Sequence, residues 1–99
     1  MATFWMTHRL EDDANYAQRY DNLVEAVRKI STKWWVEPTS FLLFSSERDI
    51  DGVAAVVKTA INPRVDMALI GMPDFKSARV VGASADQDLF ELMPFTKKV

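Results

Sequence analysis

A chain of 99 residues, 48% hydrophobic and 26% charged with a net charge of −2, is sized for one soluble globular domain built on one core. It has no cysteine, which excludes disulfides, thiolate zinc sites and iron–sulfur clusters, and no apolar run near the ~20 residues of a membrane helix. Its first residues lack a basic segment leading into an apolar one, so a cytoplasmic protein without a secretory leader is expected.

Residues 3–9 read as the first strand, with Phe4-Trp5-Met6 apolar enough for a central position. Glu11, Asp12 and Asp13 follow. Acidic groups suit the positive end of a helix, and either Asp is placed to cap the next one. In that helix Tyr16, Tyr20, Leu23, Val24, Val27 and Ile30 fall on one stripe, which predicts that both tyrosines pack into the core. Ser31-Thr32-Lys33 ends it. Trp34-Trp35-Val36 and Phe41–Phe44 are strands, and the four residues Glu37-Pro38-Thr39-Ser40 between them predict a hairpin.

Ser46 and Asp49 have the spacing of a capping box for a second helix, whose stripe is Ile50, Val53, Ala54, Val57 and Ile61. Pro63 stops it. Val65–Met72 is a fourth strand, broken by Gly71, Pro73 and Asp74, and 78–81 is a short fifth. Residues 84–92 read as a terminal helix. Leu89, Phe90, Leu92, Met93 and Phe95 are too apolar for a free tail and are expected to dock on the protomer or on a partner.

Strand–helix–strand–strand–helix–strand is the α+β, ferredoxin-like βαββαβ sandwich, here with an extra strand and a short tail helix. One domain spans 1–99, with its core in 3–72 and a docking segment in 73–99. Both helices cover one face of such a sheet. The other face is left bare, with Trp5 and one of Trp34 or Trp35 pointing from it, and a face-to-face homodimer is the expected consequence.

The first strand, the helix with Tyr16-Ala17-Gln18-Arg19-Tyr20, the aromatic hairpin from Trp34 to Phe44, and Ile61-Asn62-Pro63 before Asp66-Met67-Ala68-Leu69-Ile70 occur in a particular order. In that order and spacing the chain resembles the small ferredoxin-like endoribonucleases of CRISPR adaptation and the related virulence-associated D toxins. The resemblance covers roughly residues 3–72. It implies a dimer and metal-dependent phosphodiester cleavage by an Asp at the end of the first strand. In this chain that place falls to Thr7 or His8. The resemblance therefore implies a scaffold, or a residual nuclease, associated with RNA, DNA or a protein partner.

The candidate groups follow from these two lines of reading. His8 is the single histidine, with general acid or base chemistry, and Arg9 beside it suits a phosphate. Asp12 and Asp13 are the candidate catalytic carboxylates and Mg²⁺ ligands, for a nuclease that uses Mg²⁺. Arg9, Lys33 and Arg79 are the candidate nucleic-acid contacts, and the tryptophans form either a stacking platform or a dimer interface. Each has a plainer reading as a solvated strand end, a helix cap or a surface loop. The alternatives to a scaffold are an active Mg²⁺-dependent endoribonuclease and a ligand-binding regulatory dimer with no nucleic-acid role.

Overall fold

The computed structural model describes residues 1–99 as an α+β fold with a six-stranded mixed sheet and three helices. Four strands and two helices make its body: β1 (Ala2–Arg9), α1 (Tyr16–Ile30), β2 (Ser31–Trp35), β3 (Phe41–Ser46), α2 (Ile50–Ala60) and β4 (Met67–Met72). The sheet order β2-β3-β1-β4, with β1 antiparallel to both β3 and β4, interlocks two split βαβ units. This part is compatible with a ferredoxin-like fold. β5 (Phe75–Gly82) folds back on β4 through Pro73-Asp74 and is twice the length its apolar run suggests. α3 (Asp88–Leu92) then leads to β6 (Thr96–Lys98), which lies parallel to β5. The sequence pattern predicts a longer tail helix and no sixth strand. Lys97 and Lys98 hide that strand, because charge on an edge strand costs nothing in burial and deters unwanted pairing.

The pleat sends Phe4, Met6 and His8 of β1, Leu42 and Phe44 of β3, and Ala68 and Ile70 of β4 beneath α1 and α2. Leu23 and Val27 of α1 and Val53, Ala54 and Val57 of α2 close over them, and the rings of Phe4 and Phe44 lie 5.7 Å apart. Tyr16 and Tyr20 do not join this core. Both are exposed, and the buried stripe of α1 begins only at Leu23; Tyr20 lies against His8 at the end of β1 and Tyr16 stacks on Tyr20.

The capping expectations also shift. α1 begins after Asn15, which makes no side-chain cap; Asp13 instead accepts the Asn15 N–H one turn earlier. α2 is capped by Asp49, whose carboxylate accepts the Gly52 N–H at 2.7 Å. Ser46 is the last residue of β3, fully buried, and donates to the Ile30 carbonyl.

Trp34 faces the core with Phe44, whereas Trp35 faces outward with Leu43 and Trp5. Trp5 is opposite Gly71, and a Cβ there would overlap its indole, so the ring lies across the glycine on the open face. Gly82, at φ 90°, has the Asp66 carbonyl where a side chain would stand.

Candidate functional site

Two regions gather side chains that chemistry can use: the open face of the sheet, and the end of the molecule where β1 runs out beside α1 and the β2–β3 connection.

On the open face Trp35, Leu43, Trp5 and Gly71 form a row across β2, β3, β1 and β4, with Phe41, Thr7 and Leu69 in the next row. Lys33 and Thr3 flank this band on one side, and Arg9 and Met67 on the other. Beside Trp35 and Leu43 lies a trough of about 350 Å³ edged by Thr3, Lys33 and Ser45. At the β4–β5 end the tail crosses the same face. A groove of about 470 Å³ runs between Arg9, Met67 and Leu69 on the sheet and Leu89 and Leu92 on α3. Arg9 also donates to the Ala83 carbonyl at 3.3 Å.

No strand of the sheet contains an Asp or Glu. All 14 acidic residues lie in the helices and connections, while Arg9, Lys33, Lys76, Arg79, Lys97 and Lys98 are strand residues. Acids do reach the open face from outside the strands: Asp86 and Asp88 line the groove beside Arg9 at the β4–β5 end, and Glu37 accepts the Trp35 indole N–H at 3.0 Å. A chain with net charge −2 thus carries no carboxylate on its strands, and the acids at the open face belong to the tail and the β2–β3 connection.

At the β1 end, His8 is buried on the helix side and its ring is tilted against Tyr20, centroids 6.0 Å apart. Burial pushes the imidazole below its ordinary pKa, toward the neutral form. Tyr16 stacks on Tyr20 at 6.3 Å with planes 14° apart. His8, Tyr20 and Ser40, with Val24, Val36, Pro38, Phe41 and Leu42, line a cavity of about 70 Å³. Ser40 has φ 58°, the one left-handed residue other than glycine. Its carbonyl accepts the His8 N–H at 3.3 Å and the Thr7 hydroxyl at 3.0 Å, which fixes the strand end in place.

The remaining candidates are spread apart by the fold. Asp12 is exposed and makes no side-chain hydrogen bond. Asp13 is committed: one carboxylate oxygen takes the Asn15 N–H and the other the Arg19 guanidinium at 3.0 Å. That hydrogen bond from Arg19 holds the Asp13 carboxyl below the usual range. As a Mg²⁺ ligand set these residues do not fit as they stand, since no three His, Asp or Glu side chains converge on one point. Arg79 faces α2, not the open surface. It is buried and donates to Asp51 at 2.6 Å, and this guanidinium holds the Asp51 carboxyl low.

Asp66 carries the β1–α1 loop. Its fully buried carboxylate accepts the Glu11 and Asn62 N–H groups and the Arg19 side chain, each at 2.8 Å. The signal for it in the sequence was a lone acid ahead of a wholly apolar strand. For Ser40 there was none, because a serine in a Pro-containing connection is ordinary. Comparison with protein-family models, with curated proteins and with solved structures gave no match.

Proposed function

We propose that this chain is a ferredoxin-like, nucleic-acid-associated interaction module that works by binding through the open face of its sheet. The observation that carries the reading is the composition of that face. Trp5, Trp35 and Phe41 present rings between Lys33 and Arg9, and no strand supplies a carboxylate. Single-stranded nucleic acid needs this pairing of chemistries. Bases stack on aromatic rings for roughly 1–3 kcal/mol each, and phosphates seek scattered cations. The likeness of the chain's element order to small CRISPR-adaptation nucleases supports the same partner class. The ligand sets of Asp12 and Asp13 favour holding a strand over cutting it.

The test is fluorescence anisotropy with labelled single-stranded RNA and DNA of about 12 nucleotides. Binding is expected to weaken as salt rises from roughly 50 to 200 mM, with a shallow slope set by two or three cations. Trp5→Ala and Trp35→Ala should each weaken it about tenfold or more. Lys33→Ala should reduce the salt slope by about 0.7. Failure of wild-type protein to bind either strand at roughly 50 mM salt overturns the reading.

A second reading, the homodimer, is favoured by the extent of the same face. The protein measures 37 × 32 × 22 Å, and a face of those larger dimensions is ample for the ~800 Å² per partner of a standard interface. Self-pairing, however, would bring Lys33 of both copies to strands that hold no acid, with Asp86 and Asp88 at the far end of the face beside Arg9. Light scattering on wild type and Leu43→Glu separates the two readings. A dimer that dissociates in the variant, without nucleic-acid binding by either protein, supports the second.

A further inference from the structure

The aromatic row of the open face stops at β2, an outermost strand of the sheet, and two cavities meet there. One is the trough beside Trp35 and Leu43. The other is a hollow of about 200 Å³ lined by Arg28, Ser31, Thr32, Lys33 and Trp34. Lys33 and Trp34 border both, so an apolar space and a polar one adjoin along a single strand. No acidic residue lines either.

Local chain geometry builds the polar hollow. Ser31 pairs with Ser46 and Lys33 with Ser45, which leaves Thr32 as the extra residue of a bulge. A bulge breaks the alternation of a strand and re-aims its side chains, a device common at sheet edges and beside active sites. Here three consecutive residues, Ser31, Thr32 and Lys33, border one hollow. The Ser31 and Thr32 hydroxyls are engaged by the Val27 carbonyl and by Ser45, which fixes the walls. The cations are less committed. Glu25 takes Nε and Nη2 of Arg28, so the N–H groups of Nη1 are still to be given. Lys33 makes no ion pair. As an edge strand, β2 also leaves backbone N–H groups without a sheet partner. Arg28 and Lys29, in the last turn of α1, offset the negative end of that helix.

Two cations beside unpaired N–H groups suit a phosphate with several free oxygens. A phosphate that ends a chain carries a charge of about −1.5 to −2 and three such oxygens, whereas one inside a strand carries a single negative charge. The adjoining trough, of about 350 Å³ and bounded by Trp35, suits a base. Beyond β2 the platform has no further strand to carry another nucleotide. We propose that these two cavities form a site for a nucleotide bearing a phosphomonoester, the terminal nucleotide of a bound strand. Its phosphate lies on Arg28 and Lys33 and its base in the trough. The site rests on the nucleic-acid reading of the open face and gives it a direction, with the end of the strand at β2 and its body running toward β1.

The experiment compares internally labelled single-stranded RNAs of about 12 nucleotides that end in a 5′-phosphate, a 3′-phosphate or hydroxyls alone. Affinity for the intact protein is read by anisotropy at roughly 50 mM salt. A phosphate at one end is expected to tighten binding about tenfold over the hydroxyl-ended strand. Arg28 is exposed on α1, away from the aromatic row. Arg28→Gln should abolish the gain and leave the hydroxyl-ended strand bound as before. Equal binding of all three strands overturns the site and leaves the open-face reading standing. An Arg28→Gln protein that keeps the full gain does the same. Should no strand bind, the open-face reading fails, and the site is judged with adenosine 5′-monophosphate and adenosine. Quenching of tryptophan emission by the monophosphate alone, lost in Arg28→Gln, then supports it. No quenching, or equal quenching by both, overturns it.

Discussion

On the covered face, Phe4, Met6, Leu42, Phe44 and Ile70 are sealed beneath α1 and α2, whereas their neighbours on the same strands, Trp5, Leu43, Phe41 and Leu69, remain partly exposed. One pleat makes both surfaces. The difference lies in what the connections do: both long crossovers return over one side, and only the short α3 reaches the other, at the β4–β5 end. Charge divides along the open face itself. The helices and loops carry every carboxylate, so the Trp35–Lys33 part of the open face stays neutral to basic while Asp86 and Asp88 of the tail reach the other end beside Arg9. The contrast teaches that a weakly acidic protein can still offer a surface fit for an anion, and that net charge alone hides it.

The largest expected effect lies on the covered side. Asp66→Ala leaves Arg19 and two buried N–H groups without their acceptor, and should cost about 3–5 kcal/mol in urea unfolding. A loss below ~1 kcal/mol would show that the loop is held by something other than this carboxylate. Next is the open face. Gly71→Ala forces a methyl group into the place of the Trp5 indole, at a cost of roughly 1–3 kcal/mol. Its signature is a red-shifted tryptophan emission as the ring lifts from the sheet. Unchanged emission and unchanged stability together would deny that Trp5 rests on Gly71.

The smallest effect belongs to His8, at the end of β1. Burial lowers its folded-state pKa, so the unfolded chain takes up a proton that the folded chain resists. The contribution is complete above pH ~6.5 and is lost as pH falls from there toward the folded value. Stability curves taken between pH 7 and 5 should show this decline, and His8→Gln should flatten it. Asp13 titrates in a separate, more acidic window, since its carboxyl is held low by Arg19 and its contribution disappears only when that carboxyl is protonated. A decline identical in wild type and His8→Gln would remove His8 as its source.

Much of the architecture is legible in the sequence because it rests on periodicity. The 3.6-residue recurrence of Ile50, Val53, Ala54 and Val57 and the block Met67–Ile70 need only local physics to be read. Tyr16 and Tyr20 mislead for the same reason. Their spacing matches the stripe, but the stripe is covered only from Leu23 onward, and no local rule records which turns of a helix are covered. The candidate site was legible only in its residue types. His8, Arg9, Lys33 and the tryptophans stand out by chemistry, yet the face each one occupies depends on register, and a shift of one residue exchanges the faces. Arg79 shows the cost: as a residue type it suits phosphate, and its pairing opposite Ile70 turns it toward Asp51 instead.

By itself the sequence determined the class of fold, the order of its elements and the exclusion of cysteine chemistry, because composition and periodic burial act within a few residues of each position. The tertiary structure alone decided the aromatic open face, the buried Asp66–Arg19 pair and the backbone bond from His8 to the Ser40 carbonyl. Each of these draws on residues far apart in the chain, such as Trp5 with Leu43 and Arg19 with Asp66, through strand pairing or loop packing that no local pattern encodes.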